Sequence, residues 1–282
     1  DYDLGDNEHL KKRGGVVMPM FQADALWLNF ETLNATGEED YPMAIKIGTG
    51  KVCAVSGDDW VSTLNRDPQD YVVVPEQPWI DGYNTGKDIV KQFIAAPLGQ
   101  GYTVEEQLKS EADTGGIQIQ VFPMKREFYD KLNAPKQVLA DCYVDEVRYC
   151  MSVESFDMGL AAGGSMHQEI YEDTYPFEAW DMRNSERCFV TIANAQRWME
   201  LTKEEPPLTP ISAEEYTNAG LPWFEYYAGD KDAIEGAHKL GKIKSVKKVS
   251  PKTGINFWKD DMEIKKPKLI QIGRREVQIG SW

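Results

Sequence analysis

The chain has 282 residues, with 31 Lys or Arg against 46 Asp or Glu and a formal net charge of −15. Hydrophobic residues make up 41% and eight are Trp, which excludes disorder as the overall state and supplies enough apolar surface for one large core or two small ones. No stretch approaches the ~20 uninterrupted apolar residues of a membrane-spanning helix, so no such span is expected.

Residues 1–15 (DYDLGDNEHLKKRGG) read as a polar arm that ends in a Gly pair. The acids within it do not fit an EF-hand, because Gly5 and Asp6 stand in the wrong order. The chain starts at Asp1 rather than at Met, which is compatible with a removed leader, so the compartment is left open. From Val16 to Gly241 the pattern is that of a β-rich body. Met43, Ile45 and Ile47 alternate with Ala44 and Lys46, and Gly48-Thr49-Gly50 then leads into Val52 to Val55, a hairpin signature. Residues 71–75 (YVVVP) read as a strand buried on both faces, and Ile89 to Ala96 as another that Pro97 closes. Thr103 and Glu106 make a capping box ahead of a short helix to about Glu111. Ile117, Ile119 and Val121 face one way and Gln118 and Gln120 the other. Strands are expected again at 143–153 and 187–192, and short helices at 124–132, 195–203, 212–219 and 230–240. This spacing predicts a mainly β (α+β) fold, with an antiparallel sandwich or jelly-roll-like core and short peripheral helices; a barrel fits the same pattern.

Residues 242–282 form a basic segment. From Lys239 to Trp282 there are 12 Lys or Arg against 4 Asp or Glu, a local charge of +8, whereas the preceding 238 residues carry −23. The segment ends in two strand-like runs, KLIQIG at 268–273 and EVQIGSW at 276–282, on either side of Arg274-Arg275. Such an asymmetry suggests a basic element that lies against an acidic surface, its own or a neighbour's. Nucleic acid is not the expected partner, because a body of −23 repels a polyanion and 2 of the 12 bases in the segment are Arg.

Two stretches, DPQDYVVVPEQPWIDGYNTGKDIVKQFIAAPLGQGYTVEEQL at 67–108 and MHQEIYEDTYPFEAW onward at 166–230, resemble uncharacterised bacterial and fungal proteins. The resemblance implies no activity. It implies only that these segments belong to one recurring fold unit.

Chemistry has few places to reside. Cys53, Cys142, Cys150 and Cys188 show no metal-ligand spacing, so neither a metal nor another cofactor is expected, and all four are expected as reduced, packed thiols. His167, beside Glu172 and Asp173, is the best base for a hydrolytic site, but GGSMH lacks the G-x-S-x-G elbow and an ordinary loop histidine is favoured. Acids beside tryptophans, Asp58-Asp59 with Trp60 and Glu76 and Asp81 around Trp79, are the combination expected of sugar binding or glycoside chemistry. PLGQGYT at 97–103 lacks the Lys-Ser/Thr of a phosphate-binding loop and reads as a turn plus helix cap. The preferred expectation is a non-enzymatic structural or interaction protein that self-associates through its basic segment, with Lys244, Lys247, Lys248, Arg274 and Arg275 at the contact. The alternative is a carbohydrate-binding or glycoside-acting protein that uses Trp60, Trp79 and Asp81.

Overall fold

A computed structural model of the chain describes residues 14–30, 41–109, 114–132, 158–206, 218, 223–226, 231–253, 269–272 and 277–279. The first strands are β1 (Val16–Pro19), β2 (Ala25–Leu26), β3 (Leu28–Asn29), β4 (Met43–Thr49) and β5 (Val52–Cys53). They are followed by β6 (Val72–Val74), β7 (Trp79–Ile80), β8 (Gly82–Gly86) and β9 (Ile89–Pro97). Helix α1 (Val104–Leu108) precedes β10 (Ile117–Pro123), α2 (Arg126–Leu132), β11 (Met158–His167), β12 (Glu186–Ala193) and α3 (Ala195–Thr202). The remainder is β13 (Trp223–Tyr226), α4 (His238–Gly241), α5 (Val246–Thr253), β14 (Leu269–Ile272) and β15 (Val277–Ile279). The fold is mainly β with short helices. The polar arm (Gly14 and Gly15 apart), the strand expected at 143–153, the helix expected at 212–219 (Asn218 apart), and Arg274 and Arg275 lie outside the described residues.

Ten strands form one sheet with the path β2-β9-β11-β12-β10-β4-β5, to which β1 adds on β12, β6 on β4 and β8 on β9. Every pairing in it is antiparallel except β1 with β12. The pairings describe a single continuous sheet and do not divide it into the two facing layers of a sandwich. Instead its far ends meet, because Asn84 N in β8 donates to Ala54 O, immediately after β5, at 3.1 Å. The sheet therefore curls around its own interior. Tyr83, fully buried there, ties the walls together, its hydroxyl 3.0 Å from both Thr49 Oγ1 in β4 and Leu160 O in β11. The interior is apolar, with Ile47, Val52, Ile80, Val90, Phe93, Ile117 and Leu160 among its members.

Polar residues on the alternate face of β4 and β10 are buried as well. Lys46 is 0% exposed, and Gln118 and Gln120 bond Gly50 O and Ser62 O respectively. The covering layer is the connection between β5 and β6, which carries Trp60, Ser62, Thr63 and Asp70. The capping box expected at Thr103 forms with Glu106, although α1 ends at Leu108. Glu105, next to it, is buried and clamps two loops by accepting from Lys51 N and Gly115 N.

The first residues of the basic segment belong to this core. Leu240, Ile243, Val246 and Val249 recur every three residues and are all buried, the last two packed among Ile94, Ala96, Tyr102 and Ala161. Polar contacts fix the same stretch: Lys91 Nζ donates to Ile243 O, and the Gln107 amide exchanges bonds with both Lys244 O and Lys244 N.

Candidate functional site

Segment 168–175 passes over the β6–β7 region with its backbone paired by side-chain amides. Gln69 donates to Tyr171 O and accepts from Asp173 N, and Gln77 donates to Glu169 O and accepts from Tyr171 N. A carboxamide offers the same donor–acceptor pair as a peptide group, so two glutamines stand in for a neighbouring strand. Gln168 makes the third such contact, accepting from Asp81 N at 2.8 Å and donating to Asp81 Oδ2 at 2.7 Å.

Two of the three residues expected to make a hydrolytic site, Glu172 and Asp173, lie in this segment and His167 immediately precedes it, but the three stand in different surroundings. His167 is exposed at the end of β11 opposite Ile89, and Glu172 is exposed. Asp173 is 2% exposed, with Oδ2 accepting from Tyr71 OH and Trp180 Nε1 and Oδ1 accepting from Tyr175 N. Its carboxylate thus serves a buried network. Burial, followed by the bond to Asp173, pushes the Tyr71 phenol far above its ordinary value.

The tryptophan-flanked acids also part company. Trp60 lies against Gly48, where an added Cβ would come within 2.5 Å of its ring, and its ring centroid is 5.4 Å from Lys46 Nζ. It is a lid over β4. Glu76 is buried, bonded by Tyr175 OH at 2.8 Å and paired with Lys231 at 3.6 Å, while its Oε2 is buried without a partner.

Trp79 and Asp81 stay together. Trp79 Nε1 donates to Asp81 Oδ2 at 3.1 Å, on a two-stranded ribbon in which Leu28 pairs with Ile80 and Asn29 with Trp79. Ile80 is fully buried and Leu28 packs on the core, so alternation turns Asn29, Trp79 and Asp81 outward. Continued by one residue, the register sets Trp27 opposite Asp81, and Trp27 is 65% exposed. Trp27 and Asn29 are not among the residues the sequence singles out. The apolar alternation Leu26-Leu28-Phe30 around them is the signal that could have found them.

Burial raises the Asp81 carboxyl to about 6, with the Trp79 N–H holding it down. Because the folded value lies above the unfolded one, the stabilisation is complete below about pH 4 and is lost as pH rises through 6. Asp81→Asn is therefore expected to match the parent near pH 4 and to exceed its stability by at most about 3 kcal/mol above pH 7. Urea midpoints at both ends of that window check this, and parallel curves for the two proteins would overturn it.

On the basic segment, Lys244, Lys247 and Lys248 are exposed, as is Lys242. Lys239 pairs with Asp58 at 2.6 Å, whereas Lys242, Lys244 and Lys248 form no ion pair with a described residue. A cleft of about 560 Å³ opens beside them, lined by Lys239, Lys242, Lys244, Gln107, Leu108 and Ile243 among others.

Cys53 is a buried free thiol, pushed up by its burial, and Cys188 is a free thiol on the exposed end of β12 rather than a packed one. Cys142 and Cys150 lie outside the described residues. Among the described residues no three His, Cys, Asp or Glu side chains are grouped as metal ligands, and no helix is long and apolar enough to cross a membrane. The chain matches no protein-family model, no curated protein and no solved structure.

Proposed function

We propose that the protein is a non-catalytic interaction protein, which binds a second copy of itself by setting the basic face of α4 and α5 against an acidic surface of the neighbour. One observation carries the reading. The segment is fastened to its own body by apolar side chains, so its lysines are held at the surface on a rigid support. The 238 residues before it carry −23, which makes an acidic surface on an identical chain a complementary partner. Two different surfaces meeting in this way give a head-to-tail contact that closes into a ring or continues as a filament.

Attraction between surface charges is screened over about 8 Å at physiological ionic strength and about 3 Å at 1 M. Sedimentation is therefore expected to show a weight-average mass that falls toward the monomer as salt rises. Reversing Lys244, Lys247 and Lys248 to Glu removes three exposed attractions of about 0.2–1 kcal/mol each and replaces them with repulsion. Association should weaken by roughly tenfold or more at low salt. A strict monomer at high concentration and low salt would overturn the proposal and leave the basic segment as a structural part of its own body.

A further inference from the structure

The outer face of the β3–β7 ribbon combines two features seldom found together on a solvated surface. Trp27 is the most exposed of the large hydrophobic side chains among the described residues, at 65%, though a tryptophan gains more than most residues by burial. Beside it in register stands a carboxylate that is half withdrawn from water and held in a fixed orientation. Asp81 Oδ2 is occupied by Trp79 Nε1 and Gln168 Nε2, while Oδ1 accepts from no described donor. The ribbon is anchored below by Leu28 and Ile80 and at its end by Phe30 N, which donates to Pro78 O at 2.8 Å. The groups on its outer face are thus positioned before any ligand arrives.

We infer that this face, with Trp27, Trp79, Asp81 and Asn29, binds a neutral sugar ring of a glycan. Pyranose rings present a flat array of C–H groups on one side and hydroxyls at the edge. An exposed indole covers the first, and a fixed carboxylate oxygen accepts from the second. Neutral sugars fit better than acidic ones, because Asp81 supplies the recognition and the surrounding chain carries excess negative charge. The site binds and does not cleave: the other acid flanking Trp79, Glu76, is buried and engaged by Tyr175 and Lys231, and Asp173 is consumed by its own network. The inference uses residues different from those of the self-association and stands or falls separately.

The test is calorimetric titration of the full chain with cello-, xylo-, manno- and chito-oligosaccharides, alongside Trp27→Ala and Asp81→Asn. Saturable heat is expected with one of these neutral probes, weakened roughly tenfold or more in Trp27→Ala and clearly reduced in Asp81→Asn. Trp27 is exposed, so its removal should leave the thermal midpoint unchanged. Should that variant unfold, Trp27→Phe, which keeps an aromatic face of smaller area, is expected to give intermediate affinity. Absence of binding by every probe, or equal binding by parent and Trp27→Ala, would overturn the site. So would a loss of self-association in Trp27→Ala without loss of glycan affinity, because the face would then be a protein contact.

Discussion

Asp173→Ala is expected to destabilise the protein by about 3–6 kcal/mol, while Glu172→Ala next to it changes stability by less than about 0.5 kcal/mol. The difference comes from what each carboxylate does. Glu172 is exposed. Asp173 accepts from Tyr71 OH at 2.6 Å, from Trp180 Nε1 at 2.8 Å and from Tyr175 N at 2.9 Å, and Tyr71 and Trp180 are fully buried. Alanine strands the phenol and indole donors away from water, at about 1–3 kcal/mol for each donor. The packing of Tyr71 and Trp180, with ring centroids 6.4 Å apart in an edge-on arrangement, loses its polar restraint too. Asp173→Asn is the discriminating control. Its oxygen can serve Tyr71 and Trp180 together, and its amide nitrogen then opposes Tyr175 N, so one bond is lost rather than three. The expected order of stability is parent, then the asparagine variant, then the alanine variant, with the last melting on the order of 10 °C lower. An alanine variant within about 1 kcal/mol of the parent would show that the network is held without its carboxylate.

The same residues show where the sequence is readable. Period-two alternation locates β4, β10 and β12 closely, because each has one face against a continuous apolar interior and the pattern records that burial directly, while β9 is legible as a continuous apolar run buried on both faces. It does not reveal that Lys46, Gln118 and Gln120, on the opposite face, are buried too, since the layer covering them is an irregular connection with no period of its own. β11 escapes notice for a related reason. Its sequence, MGLAAGGSMH, shows no apolar alternation because small residues take its place, and glycine there is required by contact: a Cβ on Gly163 would approach Ile94 to 2.6 Å, and one on Gly159 would meet Thr103 at 2.9 Å. The helix expected over 230–240 shrinks to α4, while α5 goes unread because the Leu240-Ile243-Val246-Val249 spacing that runs from α4 into it is hidden under the lysine run. At the candidate sites, the sequence places Trp79 and Asp81 together because they are two residues apart in the chain. Trp27 joins them only through cross-strand register, and adjacency in the chain carries no trace of that.

Lys46→Met is expected to destabilise the fold by about 3–5 kcal/mol, and adding Asp70→Asn is expected to recover part of the loss rather than deepen it. Lys46 is 0% exposed in the middle of β4; its ammonium donates to Asp70 Oδ2 and to Thr63 O at 2.7 Å and faces the ring of Trp60. Asp70 Oδ1 accepts from Asn65 N at 2.8 Å, and Cys53 Sγ donates to the Asp70 carbonyl. The pair therefore pins the connection that covers the outer face of β4. Burial nevertheless outweighs the ammonium at Asp70, whose carboxyl lies above its ordinary value even with Lys46 beside it. Removing the lysine leaves that carboxylate buried without its counter-charge, which is the expensive state for any buried pair. Methionine fills much of the volume of the lysine stem, so the loss is electrostatic rather than a cavity. In the double variant the side chain at position 70 is a neutral carboxamide, its oxygen still accepts from Asn65 N, and no charge remains to desolvate. The double-mutant cycle should return a coupling of about 1–3 kcal/mol between the two positions. Additive losses would mean that Lys46 and Asp70 act on the fold independently, and that Trp60 and Thr63 alone hold the covering connection against the sheet.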